Sequence, residues 1–146
     1  MFAVLQFIAV LSSAIFSGAA IYINVAEHPA RMGCDTKKAV TVWAPSYKRA
    51  YVMQASLAVL SFLSGISIWL LSGDIMWLIA AIFIGAVIPF TFIIIMPTNQ
   101  KLLLPERDPN SAETRELLVK WGKLHAFRSI LGFIALVIYV ILLLKD

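Results

Sequence analysis

Four apolar stretches, at residues 2–23, 51–71, 75–96 and 124–144, dominate this chain, and nearly all of its charge lies in two connectors and the segments beside them. Each stretch supplies about 20 residues, which at a rise of about 1.5 Å spans a hydrocarbon core of about 30 Å. None shows the period-two alternation of a lipid-facing barrel strand. The expected fold is all-α: a single integral membrane domain over residues 1–146, built as a four-transmembrane-helix bundle with two polar connectors on the same membrane side. Composition excludes the soluble alternative. A chain that is 61% hydrophobic and 14% charged has too few polar residues for the outward stripe each helix of a water-soluble bundle needs. The third stretch, IMWLIAAIFIGAVIPFTFIIIM, has no such stripe at all. The first has no Lys or Arg at its amino end, and its apolar run exceeds a signal core. Residues 24–27, NVAE, make a poor cleavage context, so it is read as a retained span.

The net charge of +4 is not a nucleic-acid footprint. Arg31, Lys37, Lys38, Lys48 and Arg49 cluster in the first connector, and Lys101, Arg107, Arg115, Lys120 and Lys123 in the third. The second connector, residues 72–74, has no Lys or Arg. The positive-inside rule then puts both long connectors in the cytoplasm and both termini opposite, in a multi-pass arrangement. Whatever the orientation, the first and third connectors of a four-span chain share a side, so their polar residues can meet. The lone cysteine, Cys34, has no intramolecular disulfide partner and no Cys-x-x-Cys motif, which argues against thiol–disulfide chemistry.

Polar residues gather where the spans end. Asn24, His28 and Arg31 share a helical face at offsets of four and three, and Glu27 is placed to pair with Arg31. Pro29 is expected to kink or end the first helix near His28. Residues 32–48 read as amphipathic and irregular, with Trp43, Pro45 and Tyr47 anchoring the interfacial layer. Tyr51 and Gln54 open the second span, and a buried Gln54 needs a hydrogen-bond partner on another helix. Pro89 should kink the third span, with Thr91 helping to satisfy the disturbed backbone. That span is expected to end at residues 96–100, releasing Thr98 and Asn99 at the same mouth as His28. Ser111 is a candidate N-cap for a helix that carries Trp121, His125 and Arg128 on one face. Small residues at helical spacing (Ser13, Ser17 and Gly18; Ser61, Ser64, Gly65 and Ser67) suit close helix contacts in lipid.

Arg128 lies inside the fourth span, where a guanidinium must snorkel or find an anion. The only two histidines of the chain, His28 and His125, fall at entrances on one side. With Glu27 as a third ligand they would suit iron, copper or haem, although two ligands on different helices do not identify a metal. A proton-transfer reading uses the same residues. An imidazole abstracts a proton near neutral pH, Glu27 orients it or carries the proton onward, and Arg31 or Arg128 with Asn24 or Asn99 stabilises an enolate or phenolate oxygen.

Three motifs, INVAEHPARM, MPTNQKL and WGKLHAFRS, together resemble the DUF1772 family, also called anthrone oxygenase-like membrane proteins. The likeness covers essentially the whole chain and rests on Asn24, His28 and Pro29; Pro97, Thr98 and Asn99; and Trp121, His125 and Arg128. It implies a membrane-embedded oxidoreductase: members studied in polyketide pathways oxidise anthrones to anthraquinones with dioxygen, without an obvious flavin or haem motif. On that resemblance, the substrate is an amphipathic phenolic or anthrone-like molecule and dioxygen is the co-substrate. His125, with His28, would deprotonate an activated methylene, while Arg128 and Asn99 hold the oxyanion. From the residues themselves rather than the resemblance, Glu27 joins the catalytic set, and Arg31, Tyr51 and Gln54 join Asn24, Thr98 and Trp121 along the substrate site. Two non-enzymatic readings stand beside it: an assembly subunit that uses its small-residue faces for partner helices, and a carrier for a hydrophobic ligand or haem. Membrane lipid and a hydrophobic small molecule are the expected partners, and four helices enclose so little volume that a homodimer is compatible with the sequence.

Overall fold

The computed structural model describes residues 2–145; Met1 and Asp146 of the expected domain lie outside it. Its described residues form four long helices: α1 (Phe2–Met32), α2 (Thr36–Ser72), α3 (Ile75–Leu102) and α4 (Ala112–Leu143), each long and apolar enough to cross a membrane. The chain is thus an integral multi-pass membrane protein. Connectors as short as residues 33–35 and 73–74 make neighbouring helices antiparallel. Each helix packs on its neighbours in sequence and α4 closes back onto α1, giving a four-sided bundle.

Local signals set the helix ends. The Asp35 carboxylate accepts from the Lys38 amide at 2.8 Å and caps α2. Hydrogen bonds from Lys38, side chain first and then backbone, hold the Asp35 carboxyl below the usual carboxylate range. Gly73 sits at φ 74°, a left-handed position that ends α2, and Asp74 then caps α3 through the Met76 amide at 2.9 Å. Ser111 caps α4 as expected, accepting from the Thr114 amide at 3.1 Å. The last carbonyl of α1 and one in the connector after it are met from another helix: the Arg115 guanidinium donates to Met32 O and, at 3.0 Å, to Cys34 O.

Three expectations about the helices change. The stretch 32–48 is not irregular, because α2 already begins at Thr36, well outside the apolar span. Trp43 is no interfacial anchor. It is fully buried, stacks on Tyr47 at 5.2 Å and meets the Trp121 edge at 5.8 Å, because the helical register turns it onto α4. Nor do α1 and α3 end at their prolines. Each widens into a single π-helical turn, Ile23–Glu27 and Thr91–Ile95, just before the proline. The His28 amide reaches back five residues to Ile23 O, and the Met96 amide to Thr91 O. Pro29 and Pro97, which have no N–H to give, then open the next helical segment, where the lost donor does least harm. Thr91 Oγ1 donates to Val87 O at 2.7 Å in the turn that Pro89 disturbs.

Ser61 and Gly65 carry interhelix contacts, whereas the Ser67 hydroxyl turns back to Leu63 O of its own helix at 2.8 Å. Ser61 Oγ donates to Ala9 O at 3.0 Å, tying α2 to α1. Gly65 lets the Tyr139 hydroxyl approach so closely that a Cβ there would lie 2.1 Å from its oxygen. That hydroxyl donates to Ser61 O at 3.2 Å, so one glycine allows a buried α2–α4 hydrogen bond. Gly18, by contrast, is exposed with nothing packed within 4 Å of the place a Cβ would take, and is not a contact residue. Gly65→Ala should therefore lower stability in detergent by about 1–3 kcal/mol through overpacking. Gly18→Ala should leave the melting temperature unchanged or higher, and circular dichroism melts of the two variants check the contrast.

Candidate functional site

Two apolar clusters fill the bundle, one around Phe16, Ile84 and Tyr139 and one around Trp43, Leu118 and Trp121. A polar layer lies between them, contributed by all four helices. From α1, Asn24 sits in the first π turn and points both ends of its amide at α4. Its Nδ2 donates to Gly122 O at 3.3 Å, while its Oδ1 accepts from Ser129 Oγ at 2.6 Å and lies 3.0 Å from His125 Nδ1. An amide oxygen can only accept, so Nδ1 of His125 carries the ring proton and Nε2 keeps its lone pair. That lone pair faces Arg128 Nη1 at 3.4 Å.

Arg128 is 6% exposed and has no carboxylate partner among the described residues. Its Nη1 donates to Gln54 Oε1 of α2, which meets the need expected for Gln54, and its guanidinium carbon lies 4.9 Å from the Phe16 ring centroid. Gly132 allows the Phe16 ring to come so near: a Cβ there would fall 2.4 Å from a ring carbon. The Arg128 Nε, the Gln54 Nε2 and the Trp121 Nε1 all make no hydrogen bond. Asn99 of α3 is wholly buried and makes no hydrogen bond of standard geometry, although the Tyr47 hydroxyl is close enough to interact with it. The layer is rich in unused donors.

A second cluster stands beside the first. Glu27 accepts from both Arg31 and Ser46, and Arg31 Nη2 also reaches Ser46 Oγ at 3.3 Å. Glu27 therefore pairs with Arg31 as its spacing suggested, and hydrogen-bonds to neither histidine. His28 lies behind the first cluster, tilted against Trp121 at 5.1 Å, while His125 stacks on the same indole at 4.9 Å. Gly122 makes room for His28, because a Cβ there would stand 2.6 Å from its Nε2. The described residues hold no group of three or more His, Cys, Asp or Glu side chains placed to share a metal ion.

The two clusters border one narrow recess, which with its mouth encloses about 440 Å³ free of atoms. Arg31, Tyr51, Gln54, Asn99, Trp121, His125 and Arg128 line it, all of them expected in the site. Asn24 and His28 support the lining from behind, Glu27 borders it through Ser46, and Thr98 is buried outside it. Sequence reading missed Ser129 and Ser46, hydroxyls without a distinctive spacing, and also Phe16, Gly122 and Gly132. The i,i+4 offset of Ser129 from His125 was the available signal.

These features define a polytopic membrane protein with a buried, unneutralised guanidinium beside an oriented imidazole, under a cover of aromatic rings. The chain belongs to the anthrone oxygenase family, whose family model matches residues 43–138. The anthrone oxygenase tpcL of Aspergillus fumigatus is 41% identical over 56 residues, which is 36% of this chain and 35% of that protein. The anthrone oxygenase ptaC of Pestalotiopsis fici is 30% identical over 122 residues, 73% of this chain and 85% of that protein. The chain thus spans about a third of the first relative and most of the second. No solved structure matches it. Gly122→Ala should push the His28 ring off Trp121, with a shifted His28 ring resonance in NMR spectra and a lower melting temperature as the readouts.

Proposed function

We propose that this protein is a membrane oxygenase that converts the activated methylene of an amphipathic phenolic or anthrone-like substrate to a carbonyl with dioxygen. The observation that carries this reading is Arg128: a guanidinium buried in a membrane span, with no carboxylate partner among the described residues, beside the lone pair of His125 Nε2. A buried cation without a counter-ion is costly, and an enolate or phenolate oxygen on the ligand relieves it. The nearby Nε2 is a base with its other nitrogen already held by Asn24.

The chemistry balances with substrate and dioxygen alone. His125 Nε2 takes one methylene proton, and the negative charge spreads to the substrate oxygen, held by Arg128 with Gln54 and Asn99 beside it. The carbanion delivers two electrons to dioxygen and forms a C–O bond. The proton on His125 passes to the distal oxygen, giving a hydroperoxide. Removal of the second methylene proton breaks the O–O bond, leaving the carbonyl, and the departing hydroxide takes a proton from His125 to leave as water. The substrate carbon is oxidised, dioxygen is reduced, and the base ends as it began. His28, on the other side of the contact with Trp121, fixes the indole that supports His125. The relatives named anthrone oxygenase support this reading, and the aromatic walls of the recess, Tyr47, Tyr51 and Trp121, suit the oxygenated ring edge of such a substrate.

The decisive experiment measures oxygen uptake and quinone formation by the purified protein with a hydroxyanthrone. His125→Gln and Arg128→Met should each lower kcat by about 10²–10³-fold. Arg128→Met should keep or raise the melting temperature, because it removes a cation that no carboxylate neutralises. Wild-type rates in both variants would sink the reading. We further place the first and third connectors, with the helix ends that flank them, in the cytoplasm. Cys34 is exposed in the first of them. A membrane-impermeant maleimide should label it in inverted vesicles and not in right-side-out ones.

A further inference from the structure

The recess has a neighbour. A slot between α2 and α3, which with its open side takes in about 260 Å³ free of atoms, is walled by Ala55, Ala58, Val87, Ile88 and Phe92. It meets the recess at Tyr51, Thr91 and Arg128, which line both spaces. The two differ in chemistry. The recess holds Arg31, Ser46, Gln54, Asn99 and His125, whereas the slot's own walls are hydrocarbon. Of the two hydroxyl-bearing residues shared, Thr91 has its hydroxyl spent on Val87 O. Tyr51 stands at the junction with its ring edge-to-face against Phe92 at 6.4 Å, and Phe92 itself is 52% exposed on the lipid-facing side. An apolar slot that starts in lipid therefore ends on an unneutralised guanidinium.

We propose that this slot is the subsite for the hydrocarbon rings of the substrate, and the way it enters sideways from the bilayer. The assignment rests on the function proposed above, and its geometry fits an occupant with two unlike ends. An oxygenated edge reaches through the junction to Arg128, and fused rings lie between Ala55 and Ala58 of α2 and Val87 and Ile88 of α3. A phospholipid chain would fill the slot but would bring no anion to Arg128, so charge complementarity favours the oxygenated ring system. The two alanines set the depth: a larger residue at position 55 shortens the slot without touching the recess lining. Ala55 is half-buried, so the change is borne partly by the lipid side.

The test reads binding and leaves turnover aside. Wild-type protein, Ala55→Phe and Phe92→Ala are placed in phosphatidylcholine nanodiscs. Quenching of tryptophan fluorescence gives the Kd of 1,8-dihydroxyanthraquinone, a tricyclic, and of 2-hydroxyacetophenone, which has one ring. Ala55→Phe should weaken the tricyclic at least about tenfold and leave the single-ring ligand unchanged. Phe92→Ala, which removes the outer wall and its edge contact with Tyr51, should weaken the tricyclic by a smaller factor. Equal affinity for the tricyclic in all three proteins, equal loss of both ligands in both variants, or no binding by the wild type overturns the slot. An unchanged tricyclic affinity, with a bound phospholipid lost from Ala55→Phe in native mass spectrometry, gives the slot to lipid and also overturns it. If the wild type binds the tricyclic through the slot and yet consumes no oxygen with a hydroxyanthrone, the subsite stands and the proposed chemistry falls.

Discussion

A positive charge held out of water organises this molecule. Arg128 reaches toward three helices at once: Gln54 on α2, the Phe16 ring on α1 and His125 on its own α4. An amide oxygen and an aromatic face soften its desolvation, but neither cancels the charge. The fold carries that cost, and an anion brought beside the guanidinium lowers it. Ligand binding and fold stability are coupled through one side chain. The neighbouring imidazole shares the arrangement, because the amide oxygen that fixes its tautomer belongs to a different helix from the one that carries it.

The prolines and the π turns form a second pattern. In α1 and α3 alike, five residues of widened helix end in a residue whose amide reaches back five positions, followed at once by proline. Each widened turn holds a residue of the polar layer, Asn24 in one and Thr91 in the other, and Asn99 follows a turn after the second. A regular helix would have to break at these prolines. The extra residue lets both helices continue past the membrane-spanning stretch, and rotates everything after it relative to a uniform spiral.

Much of this was legible in the residues. Long apolar stretches and confined charge define the helices by hydropathy alone, and the side shared by the first and third connectors follows from counting spans. Arg128, His125, Gln54 and Asn99 stood out because polar groups in lipid need partners. What remained hidden depends on register. A uniform helical spacing could not reveal that α2 begins at Thr36 and turns Trp43 inward, since Lys48 and Arg49 interrupt the apolar pattern there. Nor could it show that Pro29 and Pro97 are absorbed by a widened turn. Glu27 was rightly matched with Arg31, but its hydrogen bond to Ser46 crosses to the next helix, a pairing that spacing within one helix does not reveal. Ser129, an ordinary serine in an apolar run, gains meaning only once Asn24 is seen opposite it.

The turn at Gly73 and Asp74 has a mechanical consequence. Two residues fasten α2 to α3 at one end of the bundle, whereas nine separate α3 from α4 at the other, residues 103–111. A pair of stiff rods clasped at one tip can part only at the free tip, so the clasp acts as a fulcrum. Any breathing of the α2–α3 seam is amplified with distance from it, and residues 51 and 92 sit well up the lever from that pivot.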